Sequence, residues 1–306
     1  GKTGGIISLG DTTLAADTVD NSNGVAYSGK GINVSGETLD NAAGQLVAAE
    51  SLTVNSAQRL DNQSGLIQAK NIQASAGALN NVDGTLNSQG ELNLSSDNLN
   101  NQAGTLAAKG AMDIAAATLD NRNGGRVIGE GKTALHTDSL LNNDGQIQSV
   151  DGLLLDSAKG VIDNASGLSR TGKSWTLNAV DFVNQNTLGD NKGVEGQRVT
   201  LSTGTLNNQS GSVLADDALV IRNAGELNNT GGALAASGVL DVGGEKLNVI
   251  NRDGTLKAGK ALNVDAETLD GSGQLLSLGD MDLQSANTFT NSGSTIANGT
   301  LTLATN

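Results

Sequence analysis

Cleavage of a polysaccharide needs carboxylates held a few ångströms apart, commonly beside Lys, Arg or calcium, so that one gives a proton while another attacks or activates water. The best cluster this chain offers is Asp181, Asp190 and Glu195 with Lys192. Other chemistries fall away on composition. The chain has no Cys, so thiolate nucleophiles, disulfides and Cys-ligated metals are excluded. A single His, His136, can build neither a Ser-His-Asp arrangement nor a His-based zinc site. No Gly-x-x-x-x-Gly-Lys-Ser motif is present to cradle a phosphate, and no EF-hand or Gly-Gly-x-Gly-x-Asp repeat to hold calcium. Asp20, Asp40 and Asp61 recur at equivalent positions and a cation could bridge them, but like charges on an outward, solvated face cost little.

A second set of residues could bind rather than react. Arg170, Lys173, Trp175, Phe182, Asp190, Lys192, Glu195 and Arg198 fall in the least regular part of the chain, about 122–214. It holds the only Trp and His, one of the two Phe, and the longest insertion, residues 185–198. Loops on rigid scaffolds are where binding sits, which makes this set a candidate contact for a receptor or a glycan. The competing reading is that Trp175 and Phe182 fill a local widening of the core and the loop is tolerated drift.

What must position these residues is a repeat. The phrase Leu99-Asn-Asn-Gln-Ala-Gly-Thr-Leu106 returns from one end of the chain to the other, with its apolar first residue at Val19, Leu39, Leu60, Leu79, Leu99, Leu119, Leu140, Ile162, Phe182, Leu206, Leu227, Val249, Leu269 and Phe289. The intervals run from 19 to 24 residues, so insertions are absorbed and the phrase then resumes. Two positions after the start the residue is Asn in thirteen of fourteen copies: Asn21, Asn41, Asn62, Asn81, Asn101, Asn121, Asn142, Asn164, Asn184, Asn208, Asn229, Asn251 and Asn291, with Gly271 the exception. Gly follows after two more residues in most copies, and Thr187 stands there in the ninth. A fixed period of this size marks units that cannot bury a hydrophobic face alone and must stack.

Within a unit the apolar residues alternate. Leu106 and Ala108, then Met112 and Ile114, then Leu119 define three short strands of period two, separated by Gly or polar corners. Three strands per coil of about 20 residues predict an all-β fold, a parallel β-helix of about 14–15 coils at a spacing of about 4.8 Å, about 70 Å long as one body over residues 1–306. Stacking aligns equivalent side chains. The aliphatic columns then form the core, and the Asn column an amide ladder in which each side chain donates to one neighbour and accepts from the other. No 3.6-residue apolar face persists, which excludes the helical solenoids.

Composition agrees. Aromatic residues make up 1% of the chain, as a narrow coil requires, and the absence of Pro suits a backbone that donates to ladders almost everywhere. A net charge of −14 opposes binding to nucleic acid or anionic membrane and keeps a β-rich chain soluble and monomeric. No apolar run of 18 residues exists to insert into a membrane. The first coil, from Gly4 to Val19, and the last, from Ile296 to Leu303, lack the polar outer face of a capping unit, so the chain is expected to be part of a longer array.

The phrase Leu-[Asp/Asn]-Asn-x-x-Gly-x-Leu-x-Ala, as in Leu39 to Ala48 and Leu99 to Ala108, resembles the filamentous haemagglutinin repeats of large Gram-negative exoproteins of two-partner secretion. These include adhesins, haemolysin-like proteins and contact-dependent growth inhibition effectors. The resemblance implies a right-handed β-helix, secretion to the cell surface through an outer-membrane β-barrel transporter, no enzymatic activity in this segment and no cofactor or metal. The implied role is a structural, presentational stalk that supports adhesion or delivery to another cell. A target-cell receptor or glycan is the possible further partner, and a polysaccharide-degrading enzyme the remote alternative.

Overall fold

The computed structural model describes residues 5–305; Gly4, where the sequence places the start of the first coil, lies outside them. The chain divides into two compact units, Gly1–Asp151 and Gly152–Asn306. Each is a parallel β-solenoid with coils of about 20 residues, and the described residues contain no helix.

In the first unit, from Val25 onward, a coil consists of a four-residue strand followed by a longer one. Thr105–Ala108 and Met112–Asp120 are one such pair. Each strand pairs in parallel with its equivalent one coil earlier, Leu106 opposite Leu86, Ile114 opposite Leu94 and Leu119 opposite Leu99. The second and third strands anticipated from the sequence run together as one. Their corner is a slip in the alternation: Met112, Ile114 and Ala116 point inward, then Ala117 and Thr118 both face outward before Leu119 is buried. Two successive outward residues turn the chain without breaking the ladder of backbone hydrogen bonds. The inward columns Leu86–Leu106–Val127–Ile147 and Leu60–Leu79–Leu99–Leu119–Leu140 are almost fully buried, and each such side chain contributes roughly 1.5–3 kcal/mol on leaving water.

The phrase is the remaining corner. The residue just before its Gly adopts the left-handed conformation in coil after coil, at Ala43, Ser64, Asp83 and Ala103 with φ between 51° and 54°. The Gly serves a different purpose, close approach. A Cβ on Gly104 would lie 2.7 Å from Asn101 Oδ1 and 2.9 Å from Asn81 Nδ2, and closer still to the Asn81 carbonyl oxygen. The Gly104 N–H closes the turn onto the Asn101 carbonyl at 3.0 Å.

The second unit follows the same plan with more variation. Gly193–Asn207 and Ser212–Asn228 each run unbroken through all three strand positions of a coil. In the next coil Val239–Gly243 and Asn248–Ile250 are separated by a turn at Glu245 and Lys246.

Gly104→Ala should therefore destabilise the protein by about 1–3 kcal/mol, whereas Lys109→Ala, at an exposed corner, should stay within about 0.5 kcal/mol. Urea denaturation measures both. Equal effects would show that the phrase Gly is not packed against the preceding coil.

Candidate functional site

From Asn41 to Asn251 the phrase Asn that closes a corner also points its amide inward. In the first unit Asn21, Asn41, Asn62, Asn81, Asn101 and Asn121 each donate from Nδ2 to Oδ1 of the next phrase Asn at 2.7 Å, ending at Asn142. From Asn41 onward these amides are completely buried. The second hydrogen of Asn101 Nδ2 is shared between the Gly104 carbonyl at 3.3 Å and the Arg126 carbonyl of the next coil at 3.2 Å. In the second unit Asn164, Asn184, Asn208 and Asn229 donate along the column to Asn251 at 2.7–2.9 Å. There the ladder stops. Gly271 occupies the next position with the Phe289 ring against it, and Asn251 Nδ2 donates to the Gln274 carbonyl, the bond to the following coil that the other rungs also make. Asn291 is exposed and accepts from Thr295 Oγ1 at 3.1 Å, so it lies off the ladder on which the sequence places it. Without an Asn at 271 no rung reaches it.

The position before the ladder Asn is a capping group. Asp20, Asp40, Asp61 and Asp120 each accept the backbone N–H two residues on, at 2.8–3.2 Å, which is an Asx turn. Asp61 also pairs with Arg59 at 3.2 Å, and Asp120 with Arg122 at 2.7 Å. The acidic column thus serves the corner. Among the described residues no three His, Asp or Glu side chains are grouped to hold a metal ion. Burial pushes the Asp120 carboxyl up, but hydrogen bonds from the Arg122 side chain and backbone and from Gln102, with the Arg122 charge, outweigh it and hold the carboxyl below its usual range. Asp20, fully exposed, is lowered by its hydrogen bonds with Ser22.

The eight candidate binding residues do not form one surface. Trp175 and Phe182 are completely buried, with ring centroids 6.0 Å apart, and cannot touch a receptor or glycan. They replace aliphatic residues in two inward columns, Trp175 in register between Leu153 and Val199, Phe182 between Ile162 and Leu206. Ser169, inward where the next coil has Val194, leaves room for the indole and accepts its Nε1 proton at 2.8 Å. Arg170 and Glu195 pair at 3.5 Å on the first strand of successive coils, and Arg198 pairs with Asp217 at 3.1 Å. Lys173 is exposed at a corner, while Asp190 and Lys192 lie in the insertion, whose part outside regular strands is shorter than residues 185–198 because Gly193 already begins a strand. Asp181 accepts from Thr205 Oγ1 at 2.5 Å on the third strand, Glu195 pairs with Arg170 on the first, and Asp190 lies in the insertion, so the carboxylates considered for catalysis sit on different elements. Thr187 takes over the missing Gly: its buried hydroxyl donates to the Asn184 carbonyl at 2.9 Å and accepts the Ser212 N–H at 3.0 Å.

Stacked identical corners, an internal amide ladder and an outer surface of short turns define a structural repeat. The haemagglutinin repeat model matches residues 7–64, 64–123 and 248–306, more than half of the chain, and the chain belongs to that family. The unmatched middle contains both the Trp175–Phe182 pair and the insertion. No curated protein and no solved structure matches the chain.

Trp175→Ala should cost about 3–5 kcal/mol in urea denaturation, against about 0.5 kcal/mol or less for Asp190→Ala; equal stabilities would put the ring outside the core. For Asp120, whose folded pKa is lowered, the stabilisation is complete above the unfolded value near 3.9 and is lost as pH falls through the folded value. Arg122 is 43% exposed, so Asp120→Asn should reduce the stability lost on acidification below about pH 4 by no more than about 1 kcal/mol. An unchanged acid profile would remove this carboxylate from the acid response.

Proposed function

We propose that the chain is a stalk segment that sets reach and stiffness for a filamentous, adhesin-like protein and presents other parts of it. The observation that carries this reading is the amide ladder, which makes coil after coil equivalent and leaves the corners short. Membership of the haemagglutinin repeat family supports it, since these repeats are structural parts of secreted or surface-held filamentous proteins. On this reading the parent is a Gram-negative exoprotein exported through an outer-membrane β-barrel transporter, and it serves adhesion or contact-dependent delivery to another cell.

Interchangeable coils make a direct test. Excising residues 80–99 joins Leu79 to Asn100 in phase and brings Asn62 beneath Asn101, so the shortened chain should keep its circular dichroism per residue and its cooperative unfolding. Excising residues 80–89 breaks the phase and should unfold neighbouring coils. Collapse of both would overturn the stalk reading.

A second reading, binding through the insertion, rests on the largest interval in the repeat and on Leu188, 48% exposed beside Gly189 and Asp190. With the rings buried, contact falls to Leu188, Asp190 and Lys192. Deleting residues 188–192 should abolish attachment of the chain to cells without changing its circular dichroism; undiminished attachment removes this reading.

A further inference from the structure

The chain holds three Asn–Gly pairs, Asn23–Gly24, Asn123–Gly124 and Asn298–Gly299. In such a pair the Gly nitrogen attacks the Asn side-chain carbonyl carbon, and Gly serves best because it has no side chain to hinder the approach and the freest backbone. Ring closure forms the bond between that nitrogen and Cγ and breaks the bond from Cγ to Nδ2, releasing ammonia, which carries off the proton of the attacking N–H. Water then opens the cyclic imide to aspartate or isoaspartate, so one water is consumed for each ammonia lost. A fold slows the first step where it ties down the Gly N–H and packs the Gly in place, because the corner must then open before the atoms can meet.

Asn23 and Asn123 occupy the same corner in different coils, and both are exposed and left-handed, at φ 54° and 57°. Their glycines differ. Gly24 is the phrase Gly: its N–H donates to the Asn21 carbonyl at 2.9 Å, and a Cβ on it would lie 2.7 Å from Asn21 Oδ1. It cannot swing toward Asn23 without disturbing the ladder residue. Gly124 is the added residue, and the duties of the phrase Gly have passed to Gly125, which donates to the Arg122 carbonyl at 3.0 Å and packs against Asn121. Gly124 itself has φ +80°, open space where a Cβ would stand, and a longer hydrogen bond, 3.1 Å, to the Asp144 carbonyl of the next coil. Asn298–Gly299 lies at a different corner, with the Gly N–H on the Gly279 carbonyl at 2.9 Å and the backbone of the preceding coil against it.

We propose that Asn123 is a site of spontaneous deamidation, with water as the co-reactant, and that the extra Gly124 creates it. The product is accommodated as well. Isoaspartate adds a methylene to the main chain at a corner already one residue longer than its neighbours, while Asn121 keeps its rungs to Asn101 and Asn142 at 2.7 Å. Either product puts a carboxylate on the outer surface in place of the amide that donates to Gln102 Oε1 at 2.8 Å. The folded chain thereby gains a negative charge with age. This goes beyond the stalk reading and stands or falls separately from it.

Incubation of the full chain at mildly alkaline pH, with peptide mapping by mass spectrometry and enzymatic methylation of isoaspartate, gives the conversion rate at Asn123 and at Asn23, its matched control. The same measurement in urea supplies the rates set by local sequence alone. The ratio of Asn123 to Asn23 should be about fivefold or more larger in the folded chain than in urea. Deleting Gly124 restores the three-residue spacing of the phrase, so this variant should keep its circular dichroism and its Asn123 should slow to the rate of Asn23. Chain converted at Asn123 and separated by ion exchange should keep its circular dichroism and melt within about 3 °C of the parent. A ratio no larger in the folded chain than in urea, undiminished conversion at Asn123 after deletion of Gly124, or unfolding of the converted chain would overturn the proposal.

Discussion

One hydrogen bond, repeated, sets the terms for everything else: the Nδ2 of a phrase Asn donating to Oδ1 of its counterpart a coil away, at 2.7 Å in the first unit. A buried amide is costly unless its donors and acceptor are all used. Here Oδ1 takes the preceding amide, one Nδ2 hydrogen goes to the next, and the other goes to the carbonyls of the phrase Gly and of the following coil. Ser is too short to span the strand spacing, and Asp would stack buried like charges. The demand then spreads through the phrase. The ladder and the preceding coil's carbonyl occupy the space of a Cβ, so the residue three later must be Gly. The one before Gly turns left-handed, and the one before Asn caps the bend as an Asx turn.

That constraint fixes the Asn and the close approach beside it rather than the number of residues in any corner, and this explains the uneven spacing. In the coil with Asn121 an extra Gly124, at φ +80°, absorbs one residue and passes the close approach to Gly125. At Asn184 the insertion passes the turn hydrogen bond to Thr187. In the coil that starts at Leu227 the added residues form the turn at Glu245 and Lys246. Drift collects where nothing is stacked, and the ladder column stays in register through each of these changes.

This division decides what the sequence discloses. Strand positions, inward columns and the solenoid itself are legible because stacking forces the same residue type to recur at Leu99, Asn101 and Gly104 and their counterparts. The role of the residue before Gly was legible too, from its Asn, Asp and Ser at Asn23, Ser64, Asp83 and Asp144, all residues that tolerate a left-handed backbone. It is masked by the adjacent Gly, which draws the conformational argument to itself. The candidate binding set misled for a physical reason. Rarity singles out Trp175 and Phe182, but a large ring in a thin coil is stable where a small partner makes room, and Ser169 is that partner.

The same accounting bears on catalysis. A general acid at neutral pH needs a carboxyl raised by burial or by a like charge. In this chain Asp20 and Asp120 are drawn into Asx turns, Asp120 into an Arg pair as well, and both carboxyls move downward. Glu195 pairs with Arg170, and Asp181 accepts from Thr205 Oγ1. On this surface acidic groups serve as hydrogen-bond acceptors that hold corners and strands in place.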